Sequence, residues 1–200
     1  MQGLDTGSSR QCIFRHKPRC RYGADKLCQG GMLMKPLELG IGTLTCIPFD
    51  RRVFDMSGEW LKDTELRQLI HADNMSQNDR LRWFDTLSER CDYIIQAMAL
   101  NSIPVGCFGI KHIDRLNHQA EFWLYLGSRS HWGLGIGRTM LQQGCLIAQA
   151  HDIKILYVHI VADNKRSIRF FQRAGFQHVK DIPHGIEMHA PVASLLENLG

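Results

Sequence analysis

The stretch "SHWGLGIGRTML" (130–141) decides how the chain is read. Three glycines at alternate positions, 133, 135 and 137, stand between an apolar run that alternates like a strand, "QAEFWLYLG" (119–127), and a helical pattern. In that pattern Ile136, Met140, Gly144, Ile147 and Ala148 share one face. A strand that ends in a glycine-rich turn and opens a helix is a general anion site, because the first-turn N–H groups point outward and the helix dipole favours negative charge. Several readings compete. A P-loop ends in Gly-Lys-Ser/Thr, whereas Gly137 is followed by Arg138 and Thr139. A dinucleotide fingerprint starting at Gly133 needs glycine at 138 and a parallel βαβ unit early in a domain. A coenzyme A pyrophosphate site stays open, as does a glycine-rich turn with no ligand.

Outward from the loop, the chain punctuates itself. Toward the N-terminus, "LGIGTLTCIPF" (39–49) reads as a first strand, and residues 51–73 read as a helix, a break near Gly58 and a second short helix. Ser76 is placed to cap a third helix carrying Leu81, Trp83, Phe84 and Leu87. Strands follow at 92–100, 103–114 and 119–127, the first two joined through Asn101 and Ser102. Toward the C-terminus, "IKILYVHIV" (153–161) reads as a strand buried on both faces. Asn164 then opens a helix that Gly175 closes, and "FQHVK" and "GIEMHAP" are two final strands. The order predicts an α+β domain on a mixed, mostly antiparallel sheet flanked by helices.

The 200 residues suffice for one core. The first 31 carry six basic and two acidic residues, and the remainder is balanced at 18 and 18, so the whole formal charge of +4 sits in that segment. We divide the chain into a basic, disordered tail (1–33) and one domain (34–200). The balanced domain gives no footing for nucleic acid, and no apolar run of about 18 residues predicts a membrane span. Cys12, His16, Cys20 and Cys28 lack the CxxC spacing of a zinc site, so no metal is expected. Cys46, Cys91, Cys107 and Cys145 read as core residues of a cytoplasmic protein.

"WLYLGSRSHWGLGIGRTML" together with "YVHIVADNKRSIRFFQRAGF" resembles the GNAT superfamily of acyl-CoA-dependent N-acyltransferases over about residues 36–190. The family motif, Gln/Arg-x-x-Gly-x-Gly/Ala at a strand-to-helix turn, is matched at Trp132, Gly135 and Gly137. A strand, an Asn and a helix ending in Gly-Phe follow, matched at Asn164 and Gly175-Phe176. Trp in the Gln/Arg place resembles the Rim-type and amino-sugar branch. The resemblance implies a sheet with one splayed strand pair, and acetyl-CoA as co-substrate, without metal. The backbone of Gly133, Leu134, Gly135, Ile136, Gly137 and Arg138 would hold its pyrophosphate beside Trp132. Asn164 would anchor the pantetheine arm or cap its helix, Phe171 would pack against that arm, and the amide of Leu126 would donate to the oxyanion.

A carboxylate inside "AEFWLYL" is costly unless it has a task or a partner, which makes Glu121 the candidate base; the alternative is a strand-edge residue facing solvent. His159 reads as a base, a relay or a core histidine, and His112 and His118 as exposed loop flanks. Many members carry Tyr four residues before the Gly of the Gly-Phe pair, as proton donor to the leaving thiolate. Here that place is Phe171, so Ser167 or Tyr125 would substitute. The expected activity is N-acetylation by direct attack of the amine of a small molecule, an amino sugar or a protein N-terminus. The alternative, resting on Phe171, is a catalytically silent acyl-CoA-binding module. The sequence carries no signal of oligomeric state.

Overall fold

The computed structural model describes residues 36–72 and 74–200. The basic tail, its cysteines and Asp73 lie outside the described residues. The first strand is a hairpin, β1 (Leu37–Leu39) and β2 (Gly42–Pro48), and not one run from 39 to 49. Gly42 at φ +128 makes that turn possible. Helix α1 (Arg51–Trp60) is capped by Asp50, whose side chain accepts from Val53 N, and it runs through Gly58. The expected break falls later, at residues 61–63, where Asp63 accepts from the amides of Glu65 and Leu66 and starts α2 (Thr64–Leu69). A glycine's cost of about 1 kcal/mol inside a helix is outweighed there by burial of Val53 and Phe54. Ser76 caps α3 (Gln77–Thr86) as expected.

Strands β3 (Tyr93–Leu100), β4 (Ile103–Asp114) and β5 (Gln119–Leu126) form the predicted antiparallel meander. After the glycine loop come α4 (Ile136–Ala150), β6 (Ile155–Val161), α5 (Lys165–Ala174), β7 (Gln177–Ile182) and β8 (Gly185–Pro191). The order in the sheet is β1-β2-β3-β4-β5-β6-β8-β7, and only β5 and β6 run parallel. The fold is therefore a mixed α/β one, an open and mostly antiparallel sheet flanked by helices. Strand β6 is buried on one face only: Leu156, Val158 and Ile160 point inward while Tyr157 and His159 face the other side. A last helix, α6 (Val192–Leu199), went unread in the sequence. It follows Pro191 and buries Val192, Leu195 and Leu199.

Helices divide between the two faces. The larger core lies under α4, α5 and α6 and contains Phe108, Phe122, Met140, Leu141, Leu156, Met188 and Leu195. The smaller one gathers Val53, Leu66, Ala97, Cys107 and Tyr125 beneath α1 and α2. Cys46, Cys107 and Cys145 are buried as expected, and burial pushes the thiols of Cys107 and Cys145 up to about 12. Cys91 departs from the expected core thiol, being only half-buried and disulfide-bonded. Among the described residues no helix is long and apolar enough to cross a membrane.

Gly144 on α4 is where the larger core is tightest. A Cβ there would meet the ring of Phe122, which is 1% exposed and has no room to withdraw. Gly144→Ala is expected to lower stability by about 1–3 kcal/mol, read as a lower urea midpoint at unchanged m-value.

Candidate active site

Strands β5 and β6 pair over only three residues, Gln119 with Ile155, Ala120 with Leu156 and Glu121 with Tyr157, and then part. Each keeps its outer neighbour: β5 stays on β4 to Leu126, and β6 stays on β8 to Val161. Gly127 N donates to Val105 O on β4 at 2.9 Å. Because backbone direction alternates along a strand, the amides of Leu124 and Leu126 point the other way, into the opening, with no β6 partner. A cavity of about 870 Å³ occupies this region, with Glu121, Phe122, Leu124, His159, Ser167 and Phe171 in its walls.

The glycine loop stands at the end of β5. Gly133 and Gly135 hold φ of +80° and +84°, and nothing lies within 4 Å of where a Cβ of either would stand. Gly135 is the N-cap of α4, and no side chain caps it. The amides ahead of Arg138 thus face outward on an open surface, which fits a pyrophosphate, whereas the Arg138 N–H, expected among them, already donates to Gly135 O at 3.0 Å. Gly137 has the Phe170 ring 3.7 Å from its would-be Cβ. Trp132 forms a platform under Arg166, whose guanidinium lies 4.2 Å from the ring centroid. Arg138 turns away from the loop and donates to Asn198 O at 3.0 Å, which ties α4 to the end of α6.

Glu121 is 5% exposed, so it is no solvent-facing edge residue. Its Oε1 lies 3.0 Å from Lys111 Nζ, and its Oε2 lies 3.0 Å from His112 Nδ1 and 3.6 Å from His159 Nδ1. The approach of His112 has a local cause. It sits at φ +52 where the β4–β5 register slips between Lys111 and Asp114, and the irregularity swings its ring onto the face of Lys111. His159 continues the network through Nε2 to Glu187 Oε2 at 2.8 Å. Glu187 also takes His189 at 2.8 Å and Lys180 at 3.2 Å. Burial acts to raise the Glu187 carboxyl, but the bonds from His159, His189 and Lys180 outweigh it and hold the group down at about 2. Tyr157 packs against both rings, 5.4 Å from His159 and 5.6 Å from His189, and burial pushes its phenol up to about 12.

The other expected site residues divide by environment. Asn164 caps α5, with Oδ1 accepting from Ser167 N at 3.1 Å, while Nδ2 donates to Leu69 O at the end of α2 at 3.0 Å. Ser167 and Phe171 both face the cavity from α5, one turn apart. The Phe171 ring meets Phe122, Phe170 and Phe176. Tyr125 lines the cavity under α1, and burial, with Cys107 beside it, pushes its phenol well above the ordinary range. Lys111, Glu187, His189 and Lys180 were not read as site residues. Lys111 faces Glu121 across the β4–β5 ladder, while Glu187, His189 and Lys180 reach it through His159, a link that only the strand order, with β8 between β6 and β7, reveals. Among the described residues no group of His, Cys, Asp or Glu is arranged to hold a metal.

A family model described as acetyltransferase (GNAT) family matches residues 58–176. No curated protein matches the chain. Solved structures with the same fold include spermidine N-acetyltransferase from Vibrio cholerae in complex with CoA and spermine. It is 13% identical with a TM-score of 0.69, and the match covers 76% of this chain and 98% of that one. PaiA N-acetyltransferase from Thermoplasma acidophilum, in complex with coenzyme A, is 16% identical with a TM-score of 0.57, over 74% and 98% of the two chains. An uncharacterized protein from Bacillus halodurans is 16% identical with a TM-score of 0.65, over 82% and 93%. At such identities the likeness is one of fold. The family match spans more than half of the chain, and the chain belongs to the GNAT acetyltransferase family.

The Glu187 cluster has a pH signature. A carboxyl near 4.3 when unfolded and at about 2 when folded contributes stability that is fully present above the unfolded value. That stability is lost as pH falls toward 2. Denaturation midpoints of the wild type should therefore drop between about pH 4.5 and pH 2, and Glu187→Gln should flatten that part of the acid slope.

Proposed function

We propose that this member of the GNAT family is an acetyl-CoA-dependent N-acetyltransferase that moves an acetyl group to a primary amine by direct attack. The observation that carries the reading is one of position. The β5–β6 divergence puts a buried carboxylate, Glu121, and an unpaired strand amide, Leu126 N–H, on one opening beside the glycine loop. Trp132 at the head of that loop supports placement in the branch resembling Rim-type and amino-sugar enzymes.

Acetyl-CoA supplies the acetyl group as a thioester. The amides of residues 133–137 bind its pyrophosphate, with Trp132 alongside, and the rings of Phe171 and Phe122 line the path of its arm. Asn164 holds the first turn of α5 against α2, which fixes the width of the opening. Glu121 accepts the ammonium proton, directly or through one water, so that the free amine can attack. The Leu126 amide donates to the carbonyl oxygen as negative charge develops on it. Ser167 is better placed than Tyr125 to protonate the thiolate, because it faces the cavity one turn from Phe171, whereas the Tyr125 phenol is buried and raised well above its ordinary range. Phe171 in the usual Tyr place favours a second reading, a silent acyl-CoA-binding module.

Free CoA quantified by chromatography, with a panel of amines, separates the two. Under the enzymatic reading one acceptor class releases CoA above the hydrolysis blank, and Glu121→Gln lowers kcat by about 10²–10⁴-fold without weakening acetyl-CoA binding. Binding without release on any amine supports the silent module. The loop has its own test: Gly135→Val forces a β-branched residue into φ +84, and calorimetry should show acetyl-CoA affinity reduced by about tenfold or more.

A further inference from the structure

The cavity continues from Glu121 toward α1, α2 and α3, and its charges there are unevenly matched. Three carboxylates line it. Each already has a basic partner: Asp55 with Arg51 at 3.0 Å, Glu59 with Lys62 at 2.6 Å, and Glu121 with Lys111 at 3.0 Å. Two arginines line it as well, and both have only neutral partners among the described residues. Arg80 donates to Phe54 O at 3.3 Å and Ser57 Oγ at 3.1 Å, with its guanidinium 5.0 Å from the Phe54 ring centroid. Arg67 donates to Asn74 Oδ1 at 3.4 Å and Thr64 Oγ1 at 3.3 Å. Arg80 is half-buried, where an unmatched charge is costly. The indole N–H of Trp123, in the same wall, is buried and has no partner among the described residues. This half of the cavity therefore presents unsatisfied donors and surplus positive charge, with no unpaired carboxylate.

We infer that the acceptor is an amine that also carries a carboxylate or phosphate, its ammonium at Glu121 and its anion at Arg80 with Arg67 behind. The inference rests on acetyl transfer occurring in this cavity. A guanidinium fork matches either oxyanion group in two parallel bonds. A second ammonium placed beside two unmatched arginines would be repelled, so polycations are disfavoured. Arg80 stands on α3 and Glu121 on β5, at separate places in the cavity wall, so the anion is set several bonds from the amine. Neither arginine is on the glycine loop or on α4 or α5, so their anion is distinct from the phosphates that the loop binds.

The test uses matched amines with the full chain and acetyl-CoA: 6-aminohexanoate, hexylamine and hexane-1,6-diamine as one set, and glucosamine 6-phosphate against glucosamine as another. The expected result is kcat/KM at least tenfold higher for the anionic member of a set than for its neutral or dicationic counterpart. Arg80→Gln should abolish that preference through a raised KM for the anionic amine, with the KM for acetyl-CoA unaltered. Arg80→Lys, which keeps the charge and a donor to Phe54 O, should retain part of it, and Arg67→Gln should reduce it. Equal or better turnover of the diamine overturns the inference and leaves acetyl transfer standing. A preference that survives Arg80→Gln, or a rise in the acetyl-CoA KM instead, overturns the assignment of Arg80. CoA release from no amine at all removes the reading of the site and the inference together.

Discussion

The structure depends on one interrupted contact, the parallel pairing of β5 with β6 that ends at Glu121 and Tyr157. Unpaired backbone amides inside a protein are costly, so two strands that have begun to pair need a reason to stop. Packing supplies it. Beyond the last pair, Phe122 and Leu124 on β5 and Val158 and Ile160 on β6 turn toward Phe171, which stands on a helix that Asn164 and Gly175 fix at both ends. Each strand loses nothing on its other side, since β4 and β8 continue their ladders past the split. What remains is a row of amides in a gap lined by apolar side chains. That gap suits an extended arm with a carbonyl to be polarised.

The same interruption brings two helix starts together. Strand β5 runs into the glycine loop and α4, and β6 runs into Asn164 and α5, so both N-termini open at one end of the divergent pair. Asn164 then serves two elements: Oδ1 starts α5 and Nδ2 holds the last turn of α2. Arg129 adds a second tie, from the turn before the glycine loop to Glu65 of α2 at 2.6 Å. Helix α2 is thus fastened to the start of α5 and to the turn before the glycine loop by side chains on both rims of the opening.

Much of this was legible in the sequence where a single residue decides local geometry. Ser76, Asn164 and Gly175 marked helix ends correctly because capping is chemistry within a few residues. The glycine loop was legible for the same reason, with backbone conformation as the cue. Where the deciding contact is remote, the reading failed. Gly58 looked like a break because its propensity is poor, yet burial on the sheet carries α1 past it. The seven apolar residues of "IKILYVHIV" hid the fact that Tyr157 and His159 face a polar strip. Glu121 drew attention as a carboxylate in an apolar strand. Its partners come from β4 and, through His159, from β8 and β7, and no local spacing records that order.

This difference between local and remote cues follows the two halves of the cavity. The donor half consists of backbone: amides of the loop, amides of β5, and glycines whose φ values admit them. A few residues encode it, because apart from those glycines the peptide groups do not depend on which side chains they carry. The half proposed for the acceptor consists of side chains brought from α1, α2, α3 and four strands, among them Lys111, Glu121, His159, Arg67 and Arg80. Each can change without disturbing the amides across the gap. The charge of this chain's own acceptor wall is therefore a better guide to its substrate than the substrates of proteins that share only its sheet.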